Sequence, residues 1–404
     1  MCHEKSGRAL IILKILFNYV SALLVLIFLM FASGNSQLSA KLIQSSDLSY
    51  LGSFKVPQGG GTANGAFEYG GSAMAYNPVN DSIYLVGHVY DQRTAELKIP
   101  ALGGIATTIQ PLTDSLEGKL GSVGIGSIYI GGHMIFNARL FTTAFVYYDG
   151  DGSQTLSHFS RPLSLATKGQ VSGPSRAGSM GAGYYSGYMA PVPVEWQAAL
   201  GGQAVTGNCC LSIISRTSYG PALFSFNPSS LGTATPLVYY TQSQQTLGIY
   251  GASGSHPVFN GTTRVKGVII PAGTASVLFF GRTGIGNYCY GEASACGDPS
   301  SSSKGEHAYP YKLYVWAYDL RDLAQVRSGV RQPWSVVPYA TWELAGSGDS
   351  EYSGAAAYDQ ATNRIFIAEQ YGDGERPLIR VFKLSLASVP VPPLQAPTNL
   401  RVVP

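Results

Sequence analysis

The sequence predicts an all-β fold built from repeated four-stranded units. Composition is the first observation: the 404 residues include 49 Gly and 26 Tyr but only 12% charged residues, which favours strands and turns over exposed amphipathic helices. The second observation is a recurring hairpin, in which a small-residue strand, a polar turn and an apolar strand follow one another. Its clearest copies are GSAMAYNPVNDSIYLVGH at 71–88 and SGAAAYDQATNRIFIAEQ at 353–370, where Tyr76 aligns with Tyr358. A hairpin repeated near both ends of the chain indicates a modular fold.

The N-terminal residues 1–40 are predicted to be an export segment. Basic residues precede an apolar run at 15–32, and small residues that suit a cleavage site follow it. An uncleaved anchor is the alternative, because about 18 apolar residues lie at the lower limit for spanning a bilayer. Either interpretation places the body of the protein outside the cytoplasm, as a secreted or periplasmic protein.

Cysteine usage agrees with an oxidising compartment. Beyond the export segment the chain has Cys209, Cys210, Cys289 and Cys296, an even number that allows three disulfide connectivities. Cys289 and Cys296 flank a small-residue loop that a disulfide would close, whereas Cys209 and Cys210 either form a vicinal bridge or each reach elsewhere. No histidine lies at ligand spacing from these cysteines, so metal binding is not predicted.

The first repeated unit is predicted to begin directly after the export segment. It consists of a strand at 48–56, the two strands of the hairpin at 71–88, and a strand at 95–99 that ends at Pro100. Four short antiparallel strands in about fifty residues are enough for one sheet.

The second and third units follow with increasing irregularity. The hairpin GGHMIFNARLFTTA at 131–144 and an outer strand at 154–161 form the second unit. The third contains a helical turn at 195–200, followed by strands at 211–215 and 222–226.

The fourth and fifth units restore the pattern. The fourth has a hairpin at 266–284, an outer strand at 311–320 and a short helix at 321–326. The fifth starts with a strand at 336–342 and continues through the hairpin at 353–370 to an outer strand at 378–384.

Five such units resemble the blades of a β-propeller. A four-stranded amphipathic sheet cannot bury both faces alone, and closing a stack of sheets into a ring avoids long exposed edges. Small residues such as Ala73 and Gly354 suit innermost strands that converge on an axis. The resemblance covers residues 45–387 and implies a five-bladed propeller, with six blades or two packed sandwiches as alternatives. It points to no particular propeller family, because WD, Kelch and Asp-box motifs are absent from the sequence.

The C-terminal residues 388–404 are a Pro-rich linker. Its last part, APTNLRV at 396–402, resembles the first strand of a fibronectin type III module. That resemblance implies a multidomain exported protein.

One face of the predicted ring collects polar and aromatic residues that are far apart in sequence. In a propeller, the starts of the inner strands and the ends of the second strands share a face. The strand starts carry Glu68, Tyr69, His133, Arg264, Lys266, Glu351 and Tyr352, and the second-strand ends carry His88, Arg282, Glu369 and Gln370, with Tyr371 just beyond them. A chain with so few charges concentrates them here, which predicts a functional funnel.

Binding of a glycan or other extracellular ligand is the first functional hypothesis. Ligand contacts are expected from Glu68, Tyr69, Lys266, Glu369, Gln370 and Tyr371. The predicted partner is a polysaccharide or a cell-surface ligand and not a nucleic acid, because the net charge is only +3 and no basic stripe follows the export segment. The membrane is expected as a partner only through an uncleaved N-terminal segment.

Two enzymatic hypotheses are alternatives. A polysaccharide lyase would use His88, His133 or a tyrosine such as Tyr352 to abstract the proton next to a uronate carboxylate, which Arg282 or Lys266 would neutralise. A glycoside hydrolase would pair Glu351 with Glu68 or Glu369, but the second unit offers no equivalent acid. Each of these residues also has a structural interpretation; Glu369 and Arg282, for example, would suit an ion pair.

No cofactor is predicted, apart from weak candidates for Ca²⁺ in two loops. These are YDGDG at 148–152 and GDGE at 372–375, which place oxygen ligands at short spacing. Turns of this composition usually serve only as turns.

Overall fold

The computed structural model describes residues 40–58, 66–251, 258–346 and 352–386. Within them, five four-stranded antiparallel sheets are arranged as a five-bladed β-propeller, which confirms the predicted fold class and selects five blades over six. The export segment at 1–39, the C-terminal residues 387–404 with the predicted fibronectin strand, and Glu351 lie outside the described residues.

Blade 1 contains the hairpin that defined the repeat. Its strands, from the axis outwards, are β2 (Met74–Asn77), β3 (Ser82–Val86), β4 (Thr94–Lys98) and β5 (Thr107–Thr113). The buried carboxylate of Glu96 holds the β2–β3 turn, because it accepts hydrogen bonds from the side chains of Asn77, Asn80 and Ser82. The prediction that strand 48–56 belongs to this unit is wrong, since β5 takes its place.

Blades 2 and 3 follow in chain order. Blade 2 comprises β6 (Ile128–Phe136), β7 (Arg139–Val146), β8 (His158–Pro162) and β9 (Ser172–Ser175). Blade 3 comprises β10 (Met189–Pro191), β11 (Ala204–Thr206), β12 (Leu223–Asn227) and β13 (Ser230–Val238). Helix α1 (Val194–Leu200) lies between β10 and β11. The predicted helical turn at 195–200 is confirmed. The predicted strand at 211–215 is wrong, because this segment forms a turn after Cys210.

Blade 4 carries an insertion. Its sheet consists of β14 (Arg264–Ile269), β15 (Ser276–Gly284), β18 (Tyr311–Asp319) and β19 (Ala340–Glu343), and a separate hairpin of β16 (Cys289–Glu292) and β17 (Lys304–His307) lies between β15 and β18. Helix α2 (Leu320–Arg327) begins where the side chain of Asp319 accepts a hydrogen bond from the backbone of Arg321. The strand predicted at 336–342 as the start of the fifth unit is wrong, since β19 is the outer strand of blade 4.

Blade 5 closes the ring by joining the two ends of the described chain. From the axis outwards it has β20 (Ser353–Asp359), β21 (Arg364–Asp373), β22 (Arg376–Leu384) and, outermost, β1 (Leu48–Lys55). The β1–β22 register runs from Leu48 opposite Leu384 to Lys55 opposite Leu378. The N-terminal strand thus completes the last blade, and the ring leaves no open seam between first and last units.

The innermost strands approach one another too closely for large side chains. A Cβ atom at Gly132 would meet the carbonyl oxygen of Gly187 in the next blade, and one at Gly354 would meet that of Gly71. This contact explains the small-residue strands seen in the sequence. Beyond it, at the far end of the inner strands, a small cavity of about 90 Å³ is lined largely by apolar residues.

Two disulfides are formed, Cys209–Cys210 and Cys289–Cys296, which settles the connectivity that the sequence left open. Disulfides fit an extracellular protein. In the part of the chain that the structure describes, no helix is long and apolar enough to cross a membrane.

Candidate ligand-binding cleft

A cleft of about 420 Å³ opens on the face where the inner strands begin, which is the face where the sequence predicted a functional funnel. Four blades line it. Blade 2 contributes Phe145, Tyr147 and Tyr148; the turn after β11 contributes Cys210, Leu211, Ser212 and Ile213; blade 4 contributes Arg264, Lys266, Arg282 and residues of the β16–β17 hairpin; blade 5 contributes Tyr352, Ser353 and Gln370.

Three cationic side chains from two neighbouring strands enter this cleft. Arg264 and Lys266 lie on β14, and Arg282 on β15 is paired directly opposite Arg264. The β14–β15 register shifts at Lys266, a kind of irregularity that re-aims side chains in sheets. Like charges directly opposite each other destabilise a sheet. The arrangement therefore costs stability and concentrates positive charge in the cleft.

Aromatic rings support two of these cations. The guanidinium carbon of Arg282 lies 4.5 Å from the ring centroid of Tyr311 and 5.6 Å from that of Tyr352. The Nζ atom of Lys266 lies 5.5 Å from the ring centroid of Phe145. Cation–π contacts at these distances stabilise a desolvated charge without neutralising it.

Glu306 on β17 is the one carboxylate that lines the cleft among the described residues. It binds two guanidinium groups, with its Oε2 atom 2.7 Å from Arg264 and 3.3 Å from the buried Arg216. Lys266 and Arg282 have no salt bridge to any described acidic residue, and the buried Nη1 atom of Arg282 has no hydrogen-bond partner there. Two of the four cations, Arg216 and Arg264, are paired with this carboxylate, and the exposed Lys304 also lines the cleft, which leaves the cleft with an excess of positive charge.

Burial changes the proton affinity of these groups. It lowers the pKa of Lys266 from 10.5 to about 8, and repulsion from Arg264 and Arg282 adds to this effect. Burial raises the pKa of Glu306 to about 7, against the opposing influence of Arg216.

The β16–β17 hairpin is fastened to the blade behind it. His307 on β17 makes a hydrogen bond from Nδ1 to Oδ2 of Asp298 at 2.8 Å, and the hydroxyl of Tyr311 donates to the same oxygen at 2.7 Å. The Cys289–Cys296 disulfide closes the loop beside it. These contacts hold Glu306 and His307 at the wall of the cleft.

A row of aromatic rings leads along the same face from blade 1 into the cleft. We call the set Tyr90, His88, Tyr69, Tyr371 and Tyr352 the aromatic row. Successive ring centroids are 5.5, 5.6, 5.7 and 4.5 Å apart. Its last member, Tyr352, is also a wall of the cleft.

Contacts between blades 1 and 5 position the middle of this row. The hydroxyl of Tyr69 donates to Oε1 of Glu375 at 2.5 Å, and its backbone N–H donates to the carbonyl of the same residue at 2.7 Å. Gln370, at the cleft wall, donates from Nε2 to the carbonyl of Gly70 at 2.9 Å. The row therefore bridges two blades that are adjacent only through ring closure.

Most of the predicted site residues lie in these two features. Lys266, Arg282, Tyr352 and Gln370 line the cleft, whereas Tyr69, His88 and Tyr371 belong to the aromatic row. The alignment of hairpins brought them together although they come from three blades.

Two predicted residues have structural roles instead. Glu369 forms a buried ion pair with Arg380 at 2.5 Å. The alternative prediction, an ion pair between Glu369 and Arg282, is therefore wrong. His133 lies in the middle of β6, not at its start, and its ring is hydrogen-bonded to Thr94 and Thr142. Burial lowers the pKa of His133 to about 3, which keeps the imidazole neutral.

The remaining acids of the hydrolase hypothesis are Glu68 and Glu351. Glu68 is half-buried, its Oε2 atom has no hydrogen-bond partner among the described residues, and it does not line the cleft. Glu351 lies outside the described residues.

Sequence reasoning missed Arg216 and Glu306. Both come from segments outside the hairpin repeat, so the alignment did not contain them. The usable signal was the Cys289–Cys296 pair, which marks an insertion within blade 4.

Both loops proposed for Ca²⁺ have their oxygens engaged by protein groups. Asp373 pairs with Lys55 at 2.7 Å, and Asp149 accepts hydrogen bonds from the backbone and side chain of Ser153. Among the described residues, no group of three or more potential ligands of the His, Cys, Asp or Glu type is assembled.

No protein-family model matches this chain, and no curated protein matches it. Solved structures whose backbones are similar to this one include an endo-arabinanase of glycoside hydrolase family 43 from Bacillus licheniformis. It has 10% sequence identity, a TM-score of 0.40, and coverage of 79% of this chain and 94% of that one. A glycosyl hydrolase from Bacteroides ovatus has 10% identity, a TM-score of 0.42, and coverage of 85% and 96%. A gluconolactonase from Xanthomonas campestris has 8% identity, a TM-score of 0.34, and coverage of 79% and 88%. Similarity at this level transfers no activity to this chain.

Proposed function

We propose that the cleft binds an anionic glycan, with carboxylate or sulfate groups held by Lys266 and Arg282. The observation that carries this proposal is the charge imbalance: four cationic side chains converge, one carboxylate neutralises part of their charge, and Lys266 and Arg282 keep no described acidic partner. Burying cations without acidic partners is costly, and a ligand anion relieves that cost.

A glycan fits the remaining surface better than a compact anion. The cleft is open to solvent, and tyrosine side chains from blades 2, 4 and 5 line it, including Tyr148, Tyr290 and Tyr352. Aromatic rings with a polar end can pack against the C–H faces of sugars while hydrogen-bonding their hydroxyls. A single small anion would need only the cationic side chains and would leave these aromatic rings without a ligand contact.

The test is a binding panel with matched variants. Isothermal titration calorimetry would compare alginate, polygalacturonate, ulvan and heparin with neutral dextran. We expect at least one acidic polymer to bind, with affinity that falls as salt rises. Arg282→Gln should weaken binding at least tenfold. Lys98→Gln removes an exposed cation on β4 at no cost to the cleft and should leave binding unchanged. Equal weakening by the two variants would mean that bulk charge, not the cleft, binds the polymer.

Cleavage of the same ligand by β-elimination is a second candidate function, favoured by the position of Lys266 between two arginines. A uronate carboxylate bound by Arg264 and Arg282 would have its C5 proton made more acidic. Lys266, with a pKa lowered to about 8, has a substantial neutral fraction at mildly alkaline pH and can accept that proton. The C5–H electron pair forms the C4=C5 double bond, the C4–O bond breaks, and the leaving oxygen takes the proton back from the lysine ammonium. No water or cofactor is consumed.

This elimination has a direct optical test. New absorbance from the unsaturated sugar should appear on incubation with uronate polymers, rise with pH towards 8, and disappear in Lys266→Gln. Arg264 and Arg282, from its own sheet, are the charged groups that act on Lys266, and Glu306 and Tyr352 line the same cleft. Absence of absorbance with a polymer that binds would exclude the lyase and leave the binding function standing. A hydrolase is not proposed, because that chemistry needs two carboxylates and, of its predicted acids, Glu68 does not line the cleft, Glu369 is paired with Arg380 and Glu351 lies outside the described residues.

A further inference from the structure

The aromatic row is continuous with the cationic cleft. It begins at Tyr90, which is 79% exposed on blade 1, and passes through Tyr371, which is 42% exposed, to Tyr352 at the cleft wall. The ring of Tyr352 lies beside the guanidinium of Arg282, so the row ends at a cation that binds the proposed anion. A ligand seated in the cleft would therefore meet the row where it leaves the cleft.

The row is held in place against a backbone preference. Tyr69 has a φ angle of +59°, in the left-handed region that bulky side chains disfavour and that glycine adopts freely. Two hydrogen bonds to Glu375 hold this conformation, one from the backbone and one from the phenol. Disfavoured backbone conformations persist where the surrounding structure imposes them, and they cluster at functional sites. Here the conformation places an aromatic ring between those of His88 and Tyr371.

We propose that the aromatic row is an extended subsite on which successive sugar rings of the same glycan chain pack. This inference rests on the proposed binding function. The row is a chain of neighbouring aromatic rings, so it suits the C–H faces of pyranose rings. Because the row spans two blades, from blade 1 across blade 5 to the wall of the cleft, it fits several sugars in sequence. The protein thus recognises a stretch of polymer, not a terminal sugar alone.

The test compares ligand lengths. Calorimetry would measure the disaccharide and the hexasaccharide of alginate, polygalacturonate and hyaluronate. We expect the hexasaccharide of the cognate polymer to bind at least tenfold more tightly than the disaccharide. Tyr371→Ala should weaken hexasaccharide binding three- to tenfold and leave disaccharide binding unchanged, as expected for the loss of one ring contact. Tyr371→Phe, which keeps the ring, should retain the wild-type length dependence.

Two further variants keep the test decisive if Tyr371→Ala fails to fold. Tyr90→Ala alters the most exposed ring, at the far end of the row, and should reduce only the gain from length. Tyr148→Ala removes an exposed ring from the opposite wall of the cleft and should affect both lengths equally. Equal affinity for the two lengths, or equal loss of both in Tyr90→Ala, would overturn the subsite and leave the cleft as the binding site. Failure of every oligosaccharide and polymer to bind would overturn the proposed function and the subsite together.

Discussion

Replacing Lys266 by methionine should make the protein more stable and unable to bind its ligand. Burial and two neighbouring arginines lower the pKa of Lys266 from 10.5 to about 8. Since one pKa unit corresponds to ~1.4 kcal/mol, the ammonium form is destabilised in the folded protein by at most about 3 kcal/mol. Methionine has a similar length and can pack on Phe145, but the cation–π contact of about 1 kcal/mol is lost. We expect the free energy of unfolding at pH 7 to rise by about 1–2 kcal/mol.

The lowered pKa of Lys266 also predicts how the free energy of unfolding changes with pH. The folded-state pKa of Lys266 is lower than the unfolded-state value, so between pH 8 and 10.5 the unfolded chain binds the additional proton. Stability of the wild type therefore rises with pH across this window, and the advantage of Lys266→Met shrinks towards zero near its upper end. Arg264, Arg282, Glu306 and Tyr352 line the same cleft, but they are common to both proteins, so their own titration cancels in the difference.

Urea unfolding followed by tryptophan fluorescence, with the disulfides intact, measures this difference at pH 7 and pH 10. Calorimetry with the acidic polymer checks the loss of binding. A variant that is less stable than wild type at pH 7, or an advantage that stays constant between the two pH values, would refute the reasoning. Either outcome would also contradict the claim that the cleft holds an excess of positive charge that a ligand neutralises.

Three other variants test the supports of the site and the ring by urea unfolding. Glu306→Gln removes the partner of Arg216 and should cost about 3 kcal/mol, because a buried guanidinium is left unpaired; an unchanged midpoint would contradict the ion-pair description. The folded-state pKa of His133, about 3, lies below the unfolded-state value, so the wild type loses stability as the pH falls below 6.5. In His133→Gln the free energy of unfolding should fall less steeply with decreasing pH, by up to ~1.4 kcal/mol per pH unit. An unchanged slope would contradict a neutral buried imidazole. Gly354→Ala should cost about 2 kcal/mol where inner strands touch, whereas Gly121→Ala, with open space around it, should cost little; equal effects would contradict the packing account.

The inner half of each blade was predictable because its pattern is local. Strand β3 is buried along its whole length, and the residues that precede it are small because neighbouring blades contact each other there. Outer strands such as β5, with the sequence TTIQPLT, are largely exposed and contain a proline, so they carry no apolar alternation. Closure of the ring by β1 depends on pairing with β22, more than 300 residues away in sequence, which no local pattern can express.

The site was predictable only where it uses the repeat. Lys266 and Arg282 were found because they occupy corresponding positions at the ends of hairpin strands. Glu306 was missed because it lies on an inserted hairpin, and Arg216 because it follows an irregular turn. His133 was misplaced because β6 begins at Ile128, earlier than the glycines that seemed to mark its start, so the ring falls within the sheet.

The central claim is that acidic groups of a glycan are recognised by the cationic cleft. The most direct measurement compares the affinity of the wild-type protein for each acidic polymer and for the same polymer after its carboxylates have been reduced to alcohols or its sulfates removed. The backbone of the polymer is then constant and only the charge changes. We predict that affinity falls at least a hundredfold on removal of the charge and that Arg282→Gln does not distinguish the two forms to the same extent. Equal affinity for the charged and uncharged forms would contradict the claim.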